Sequence, residues 1–181
     1  YNNKISMMTS YINIISTANI EITDAERQQA IAEIRCARRL LCYDLYDLYG
    51  PLVIAPLSAL QNPLQAQPLA RLSNDSMVNF IQEDLQAAVS GLPKPPQAEY
   101  GRFSSGLARM ILIRLYLHEK EWNKVSAQCD TLINNNYYKL DPNYVGMWGL
   151  TGAKSSPEVI WAIPCDYAGT SQNQWQMMYL P

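Results

Sequence analysis

The chain has 181 residues, a length that suffices for one domain with a full hydrophobic core. Because 48% of its residues are hydrophobic, the composition excludes an intrinsically disordered segment. The formal net charge of −2 gives no electrostatic reason to expect a nucleic acid or an anionic membrane surface as partner, and the apolar runs fall well short of the ~20 residues of a membrane-spanning helix.

A long helix is predicted over residues 24–49. A capping box at Thr23 to Glu26 starts it, and Gly50-Pro51 ends it, because Gly is a frequent C-terminal cap and Pro cannot continue the hydrogen-bond ladder. The predicted core face is an apolar stripe at spacings of three and four: Ile31, Ile34, Ala37, Leu41, Leu45 and Leu48. The preceding segment, residues 1–20, is predicted to contain the end of another helix.

Three tyrosines lie close together on this helix, at positions 43, 46 and 49. Tyrosines beside an apolar stripe usually fill the groove to the next helix with the hydroxyl reaching water, but they also serve as stacking surfaces for ligands. We expect packing for Tyr43, Tyr46 and Tyr49, and ligand stacking is the alternative that the sequence leaves open.

The cysteine spacing predicts no zinc site, because Cys36, Cys42, Cys129 and Cys165 form no CxxC pair. Cys36 and Cys42 are separated by about 9 Å of helical rise and point to different faces, so they cannot bridge each other. We therefore expect buried free thiols.

The segment that follows, residues 51–72, holds four prolines and no helical period, which predicts an irregular loop. Ser73 or Asn74 is then expected to cap a second long helix, which ends at Gly91. The core stripe of that helix is Met77, Phe80 or Ile81, Leu85 and Val89.

A third helix is predicted from Ser104 or Ser105, after a proline-rich connector. Its run SGLARMILIRLYLHEK is apolar on more than one face, which predicts a central position. Only HEKEWNK separates it from a fourth helix, WNKVSAQCDTLINNN, so these two helices are predicted to be antiparallel neighbours.

The third and fourth helices have the pattern of a tetratricopeptide-type pair: Ala108 and Tyr116 on the first helix, Trp122 at the turn and Leu132 on the second. The two earlier long helices are predicted to form a second pair across the long insertion, and stacking buries a core that neither pair builds alone. After Asn136 the stretches YYKL and EVIWAIP predict short β-strands.

The polar residues predict no catalytic set. The one histidine, His118, is expected at a solvated helix end, and no GxxxxGKS/T, GxGxxG or HExxH motif occurs. Asp44 and Asp47 share a helix face, which we expect to be solvated or paired with Arg38 or Arg39 rather than to supply an acid and a base. We predict a protein without catalytic residues, cofactor or metal.

Binding is better supported, since aromatic side chains among amide, hydroxyl and carboxylate groups are concentrated after residue 136. These are Tyr137, Tyr138, Tyr144, Trp148, Trp161, Tyr167, Trp175 and Tyr179. Sugars present flat apolar faces ringed by hydroxyls, which such side chains complement. The alternative is that Trp148 and Trp161 anchor loops onto the helices, and for Trp161 we favour it.

Five segments follow one another along the chain: AEIRCARRLLCYDLYDLYGPLVIAP, SNDSMVNFIQEDLQAAVSGLP, GRFSSGLARMILIRLYLHEKEWNKVSAQCDTLINNNYYKL, SPEVIWAIPCD and NQWQMMYLP. This ordered series resembles the SusD/RagB family of outer-membrane nutrient-binding lipoproteins. Together the segments cover nearly all of residues 24–181, in the order in which the family has them.

The resemblance implies an all-α fold, a tetratricopeptide-like helical repeat superhelix with long loops and minor short β-strands. The single domain, residues 1–181, would combine helix pairs at about 24–91 and 104–136 with a loop-rich ligand side at 137–181. Because the chain opens without an initiating Met and stops at Pro181, we expect it to be a fragment, with a signal peptide and lipidated cysteine upstream of Tyr1.

The resemblance also implies a function: capture of an oligosaccharide, or sometimes a peptide, at the outer-membrane surface and its delivery to a TonB-dependent SusC-like transporter, without catalysis. Trp175, with Asn173 and Gln174, is the first choice for ligand contact. Tyr144, Trp148 and Tyr167 follow on composition. A different class of protein, a helical-repeat adaptor that binds a protein segment on its concave face, is the alternative.

Overall fold

The computed structural model describes residues 2–95, 97–149 and 152–164. Seven α-helices lie in these ranges: α1 Asn2–Thr17, α2 Asp24–Tyr49, α3 Leu57–Gln61, α4 Asn74–Gly91, α5 Ser105–His118, α6 Trp122–Asn134 and α7 Gly152–Ser155. Two 3₁₀ turns, Pro63–Gln65 and Gly146–Trp148, complete the regular structure of this part of the chain. The predicted all-α class is confirmed, and no helix of the described ranges is long and apolar enough to cross a membrane.

The predicted boundaries of α2 are confirmed at both ends. Thr23 accepts the Glu26 amide through its hydroxyl (3.2 Å), and Glu26 accepts the Thr23 amide in return (2.9 Å), which completes the capping box. Gly50 has a φ of 72°, and its amide donates to the Tyr46 carbonyl (2.8 Å). Because few other residues adopt that φ without strain, glycine at position 50 stops the helix cleanly.

The predicted core face of α2 is wrong by about one residue of rotation. The side chains that α2 buries are Ile31, Ala32, Cys36, Arg38, Arg39, Cys42, Tyr43 and Tyr46. Leu41 and Leu45 are half-buried, and Leu48 is 70% exposed. Apolar periodicity missed the true face because arginines and tyrosines, which it counts as polar or neutral, occupy part of it.

An ion cluster explains why α2 buries arginines. Asp84 on α4 accepts hydrogen bonds from Arg38 and from Arg39, the latter through Nε at 3.0 Å and Nη2 at 2.8 Å. Arg35 approaches the other carboxylate oxygen at 3.7 Å. The Arg39 guanidinium also lies 3.2 Å from the centre of the Phe80 ring, a cation–π contact. Arg38 and Arg39 therefore pair with Asp84 and not with Asp44 or Asp47. Asp44 and Asp47 are exposed, so the solvated alternative of the sequence prediction is confirmed.

The core of the described chain is a three-helix layer in which α4 packs between α2 and α5, and α6 packs on α5. Met77, Ile81 and Leu85 of α4 are completely buried, which confirms the predicted stripe with Ile81 as its second member. At its end the buried residue is Ala88, whereas the predicted Val89 is half-buried. The predicted central position of α5 is confirmed too, since most of its side chains are buried and Ser104 caps it.

The tyrosines of α2 fall into two groups. Tyr43 and Tyr46 are buried, as predicted, whereas Tyr49 is 65% exposed. The Tyr46 hydroxyl does not reach water but lies 2.5 Å from a carboxylate oxygen of Glu119 and 2.7 Å from Oδ1 of Asn74. Burial raises the pKa of Tyr46, and the hydrogen bond to the Glu119 carboxylate raises it further. Tyr46 thus ties α2 to the start of α4 and the end of α5.

The insertion after α2 contains more structure than predicted. Its α3 and first 3₁₀ turn occupy part of the stretch that proline content marked as irregular. The amide of Leu72 donates to the carbonyl of Leu52 (2.9 Å), and Arg71 donates to the carbonyl of Tyr49 (3.1 Å), so the two ends of the insertion are held together. The helix α1 packs on α2 and also contacts α3 of the insertion. It buries Ile5, and its Thr9 hydroxyl accepts a hydrogen bond from Arg38 (2.8 Å).

The predicted short β-strands are absent from the described residues. Residues 137–140 and 158–164 contain no strand, and the backbone hydrogen bond between these regions runs from the Lys139 amide to the Pro157 carbonyl (3.2 Å). Strand pairing requires a repeated ladder, which that contact does not supply. β-type residues in these stretches therefore serve loop packing.

The predicted buried thiols are confirmed for Cys36 and Cys42, which are free and completely buried. Burial raises the pKa of Cys36 to about 12, so its thiol is unreactive at neutral pH. Cys129 is free and half-buried, and Cys165 lies outside the described residues.

Replacing Asp84 by asparagine should destabilise the fold by about 3 kcal/mol, because three guanidinium groups then lose their shared carboxylate in a largely buried setting. Urea unfolding followed by circular dichroism measures the change. The exposed neighbour Glu83→Gln is the matched control and should shift stability by no more than ~0.5 kcal/mol. Equal stabilities for the two variants would contradict the structural role of the cluster.

Candidate functional site

The loop after α6 is shaped by a chain of side-chain caps. Asp141 accepts the amide of Asn143 (2.9 Å), and Asn143 in turn accepts the amide of Gly146 (3.0 Å). These turns, typical of Asp and Asn, lead into the 3₁₀ turn Gly146–Trp148. The amide of Asn143, helped by the Ser156 hydroxyl, lowers the pKa of Asp141, so this carboxylate stays ionised and structural at neutral pH.

This turn presents two exposed aromatic rings, Tyr144 and Trp148, which we call the aromatic pair. The side chains are 68% and 72% exposed, and their ring centres lie 6.1 Å apart at an interplanar angle of 73°. An edge-to-face contact of this kind holds each ring in place while leaving its outer face open to solvent. The sequence-predicted residues Tyr144 and Trp148 are therefore brought together, on a loop and away from the core.

The short helix α7 packs directly on the 3₁₀ turn of the aromatic pair. A Cβ at Gly152 would lie 2.0 Å from the Gly146 carbonyl oxygen and 2.8 Å from the Met147 backbone. Only glycine permits this approach of two backbone segments. Gly152 thus joins the aromatic pair to the next part of the loop.

A cleft of about 270 Å³, which we call the loop cleft, lies beside α7. Its lining combines aromatic and polar side chains, including Tyr100, Tyr137, Trp161, Glu99 and Lys154. The Lys154 ammonium lies 5.8 Å from the centre of the Tyr100 ring, which is 42% exposed. The cleft is slightly below the ~300 Å³ lower limit of drug-sized ligand pockets, a size suited to one ring of a larger ligand.

The walls of the loop cleft are tied to the helices. Trp161 donates from its indole N–H to the Gly101 carbonyl (3.3 Å), and its ring lies 5.5 Å from the ring of Phe103. The predicted anchoring role of Trp161 is confirmed by these contacts. On the same wall, Arg102 donates to both carboxylate oxygens of Glu33 on α2 at 2.7 Å, which links the cleft to the helical body.

One wall of the loop cleft is the ring of Tyr138, which packs on Gly106 in the first turn of α5. A Cβ there would lie 2.1 Å from the Tyr138 hydroxyl oxygen, so this ring fits only because residue 106 is glycine. Burial raises the pKa of Tyr138, with the Ser104 hydroxyl acting in the opposite direction. Tyr138 is accordingly a wall residue and not a ligand-facing acid.

Sequence reasoning located part of this surface. Among its other candidates, Tyr167, Asn173, Gln174 and Trp175 lie outside the described residues. It missed Tyr100 and Lys154, which come from different loops and meet only in the folded chain. Neither has a local signal beyond an aromatic or basic residue in a Gly- and Pro-rich setting.

The described residues give no metal-binding cluster of three or more His, Cys, Asp or Glu side chains. His118, expected at a solvated helix end, has a side chain that is 39% exposed. Its Nδ1 lies 2.8 Å from Oε1 of Glu119, and its Nε2 lies 3.9 Å from Oδ1 of Asp47. Its ring also contacts that of Tyr46, with centres 5.1 Å apart. These contacts make His118 part of the helix-end packing.

Comparison with known sequences gives two relatives that carry the same description. The chain is 30% identical over 122 residues to a SusD-like protein of Bacteroides ovatus, covering 66% of this chain and 21% of that protein. It is 25% identical over 165 residues to a SusD-like protein of Formosa agariphila, covering 87% of this chain and 30% of that protein. The chain therefore spans less than a third of the length of these relatives. No family model matches it.

Comparison with solved structures gives the same fold. A SusD-like protein of Bacteroides fragilis superposes with a TM-score of 0.78 at 22% identity, over 91% of this chain and 32% of that structure. A laminarin-binding SusD-like protein superposes with a TM-score of 0.71 at 23% identity, over 87% and 34% of the two chains. The helical architecture is thus that of a segment of the SusD-like fold.

Replacing Gly106 by alanine should destabilise the chain by about 1–3 kcal/mol, since the new methyl group displaces Tyr138 from the cleft wall. Urea unfolding tests this. In a Tyr138→Ala background the same substitution should be neutral or stabilising, because alanine is the better helix former. Equal effects in the two backgrounds would contradict the proposed contact.

Proposed function

The chain belongs to the SusD-like family, and from that premise we propose that it binds oligosaccharide through the aromatic pair and the loop cleft. The observation that carries the proposal is the exposure of Tyr144 and Trp148 on a loop that side-chain caps hold in place. The description of one structural neighbour as laminarin-binding supports the ligand class.

The aromatic pair fits the apolar face of a sugar ring. Burying a large exposed aromatic surface against sugar C–H groups gains free energy, and rings already fixed by mutual contact lose little conformational entropy on binding. Because Tyr144 and Trp148 meet edge to face, they offer surfaces in two directions. Such a corner suits a bent oligosaccharide better than a flat one.

The loop cleft supplies the polar partners that the aromatic pair lacks. Lys154, a donor, and Glu99, an acceptor, both line it together with the hydroxyl-bearing Tyr137. The short helix α7 joins the two features, because its Lys154 lines the cleft and α7 packs on the turn of the aromatic pair. We call the aromatic pair and the loop cleft together the loop surface. A ligand of more than one sugar ring is therefore required to engage both.

We propose that this binding is not catalytic. A glycosidase needs a carboxylic acid whose pKa is raised, beside a second carboxylate. At the aromatic pair the neighbouring acid is Asp141, whose pKa is lowered by its backbone and Ser156 hydrogen bonds. That arrangement favours a carboxylate used to shape the loop.

Family membership further supports a place in nutrient uptake. We propose that residues 1–181 form one domain of a longer cell-surface protein, attached to the outer membrane by a lipid outside this segment. That protein would deliver oligosaccharide to a TonB-dependent, SusC-like transporter. The stacked helices would be the rigid scaffold, and the loop segment after α6 would be the ligand side.

Replacing Trp148 by alanine should weaken oligosaccharide binding by about 1–1.5 kcal/mol, or roughly tenfold, through loss of one stacking surface. A glycan array that includes laminarin fragments identifies the ligand, and calorimetry measures the affinity of each variant. The matched control is Trp122→Ala, which removes another exposed indole (61% exposed, against 72% for Trp148) from the start of α6 and should leave affinity unchanged.

The proposal is wrong if no glycan binds, or if Trp122→Ala and Trp148→Ala weaken binding equally. Release of shorter sugars from a bound oligosaccharide by the purified chain would contradict the non-catalytic assignment alone. The predicted contribution of Trp175 is tested in the same assay by Trp175→Ala, for which we expect a similar loss.

A further inference from the structure

The carboxylate of Asp141 contacts both halves of the loop surface. On one side it accepts a hydrogen bond from the amide of Asn143 (2.9 Å), at the start of the turn that carries the aromatic pair. On the other side it accepts a hydrogen bond from the hydroxyl of Ser156, which lines the loop cleft. Asp141 is not among the described residues that line the cleft, so it acts there through Ser156.

The bond to Asn143 holds the turn of the aromatic pair as a whole. The Asn143 side chain accepts the Gly146 amide (3.0 Å), and its backbone carbonyl accepts the Met147 amide (3.1 Å). The Trp148 amide in turn donates to the Val145 carbonyl (3.3 Å). Because these bonds close the turn on itself, a displacement of Asn143 moves both rings of the aromatic pair.

The bond from Ser156 holds the wall of the loop cleft. The Ser156 hydroxyl accepts the Glu158 amide (3.3 Å), which leaves the hydroxyl proton for donation to Asp141. The Ser156 amide donates to the carbonyl of Gly152, the first residue of α7 (2.8 Å). Two wall segments, α7 and the stretch that leads to Trp161, therefore meet at Ser156.

A second contact joins the two halves, the close approach of Gly152 to the Gly146 carbonyl. One point of contact lets two segments rotate about it, whereas two points fix their relative orientation, and Asp141 supplies the second point. The Asn143 amide, followed by the Ser156 hydroxyl, lowers the pKa of Asp141. The carboxylate is therefore ionised at neutral pH, in the form that accepts both bonds.

We propose that Asp141 is a positioning residue of the glycan site, which holds the aromatic pair and the loop cleft at a fixed separation so that one oligosaccharide engages both. The inference rests on the proposed function of the loop surface. When two subsites are held rigidly, a ligand bound at one is presented to the other at high effective concentration. An oligosaccharide that spans both subsites gains from this, and a sugar that fits only one does not.

Calorimetry with the array-selected oligosaccharide, and with the shortest fragment of it that the parent chain binds measurably, tests the proposal. Asp141→Ala should weaken binding of the full oligosaccharide roughly tenfold and binding of the short fragment by less than roughly twofold. A general loss of the loop structure would not produce this dependence on ligand length. Ser156→Ala removes only the bond on the side of the cleft and should reproduce the effect.

Two further variants separate positioning from direct contact with the sugar. Asp141→Asn keeps an acceptor for the Asn143 amide and should lose no more than roughly threefold in affinity. The matched control is Asp130→Ala, which removes an exposed carboxylate of α6 that has its own hydroxyl contact (Ser126 Oγ, 3.5 Å) and should bind as the parent chain does. Thermal unfolding by circular dichroism should be unchanged in all variants, because Asp141 lies outside the hydrophobic core.

Three results obtained with a parent chain that binds glycan would overturn this inference alone. They are parent-like binding of the full oligosaccharide by Asp141→Ala, equal losses for the long and the short ligand, and equal losses for Asp141→Asn and Asp141→Ala. The last result would assign Asp141 a direct charged contact with the sugar. A parent chain that binds no glycan contradicts the proposed function and, with it, the positioning role.

Discussion

The arrangement of the helices depends on one carboxylate. Asp84 gathers the guanidinium groups of α2 against α4 and thereby sets the rotation of α2 about its own axis. With α2 turned this way, Tyr46 reaches Glu119 at the end of α5, and Leu48 is left exposed. A buried charge cluster costs desolvation energy, but it specifies orientation in a way that apolar contacts alone do not.

That rotation also explains where the sequence was informative and where it was not. Helix ends were predictable because caps are local: Thr23, Gly50, Ser73 and Ser104 act within four residues of their own positions. The core face of α2 was not, since which of two apolar stripes becomes buried depends on Asp84, 45 residues away from Arg39. The apolar periodicity of α2 therefore contains no information about Asp84, the partner that decides which face is buried.

The candidate site shows a similar division. Tyr144 and Trp148 were predictable from composition, because aromatic residues in a polar, aperiodic stretch have no helix to pack into. The loop cleft was not, because Tyr100 and Lys154 come together only after α5 and α7 are placed. The predicted strands failed because side chains there pack on the connector that precedes α5: Trp161 contacts Gly101 and Phe103.

We propose the loop surface, which combines aromatic and polar side chains, as the place where the chain holds a solute. The central claim is that the loop surface holds the sugar. Chemical-shift mapping on the ¹⁵N-labelled chain, titrated with the oligosaccharide selected on the array, tests it most directly. The account predicts that the indole N–H of Trp148 and the backbone amides of residues 143–148 shift on binding, while the indole of Trp122 does not. Shifts confined to the helices α2 and α5 would contradict it.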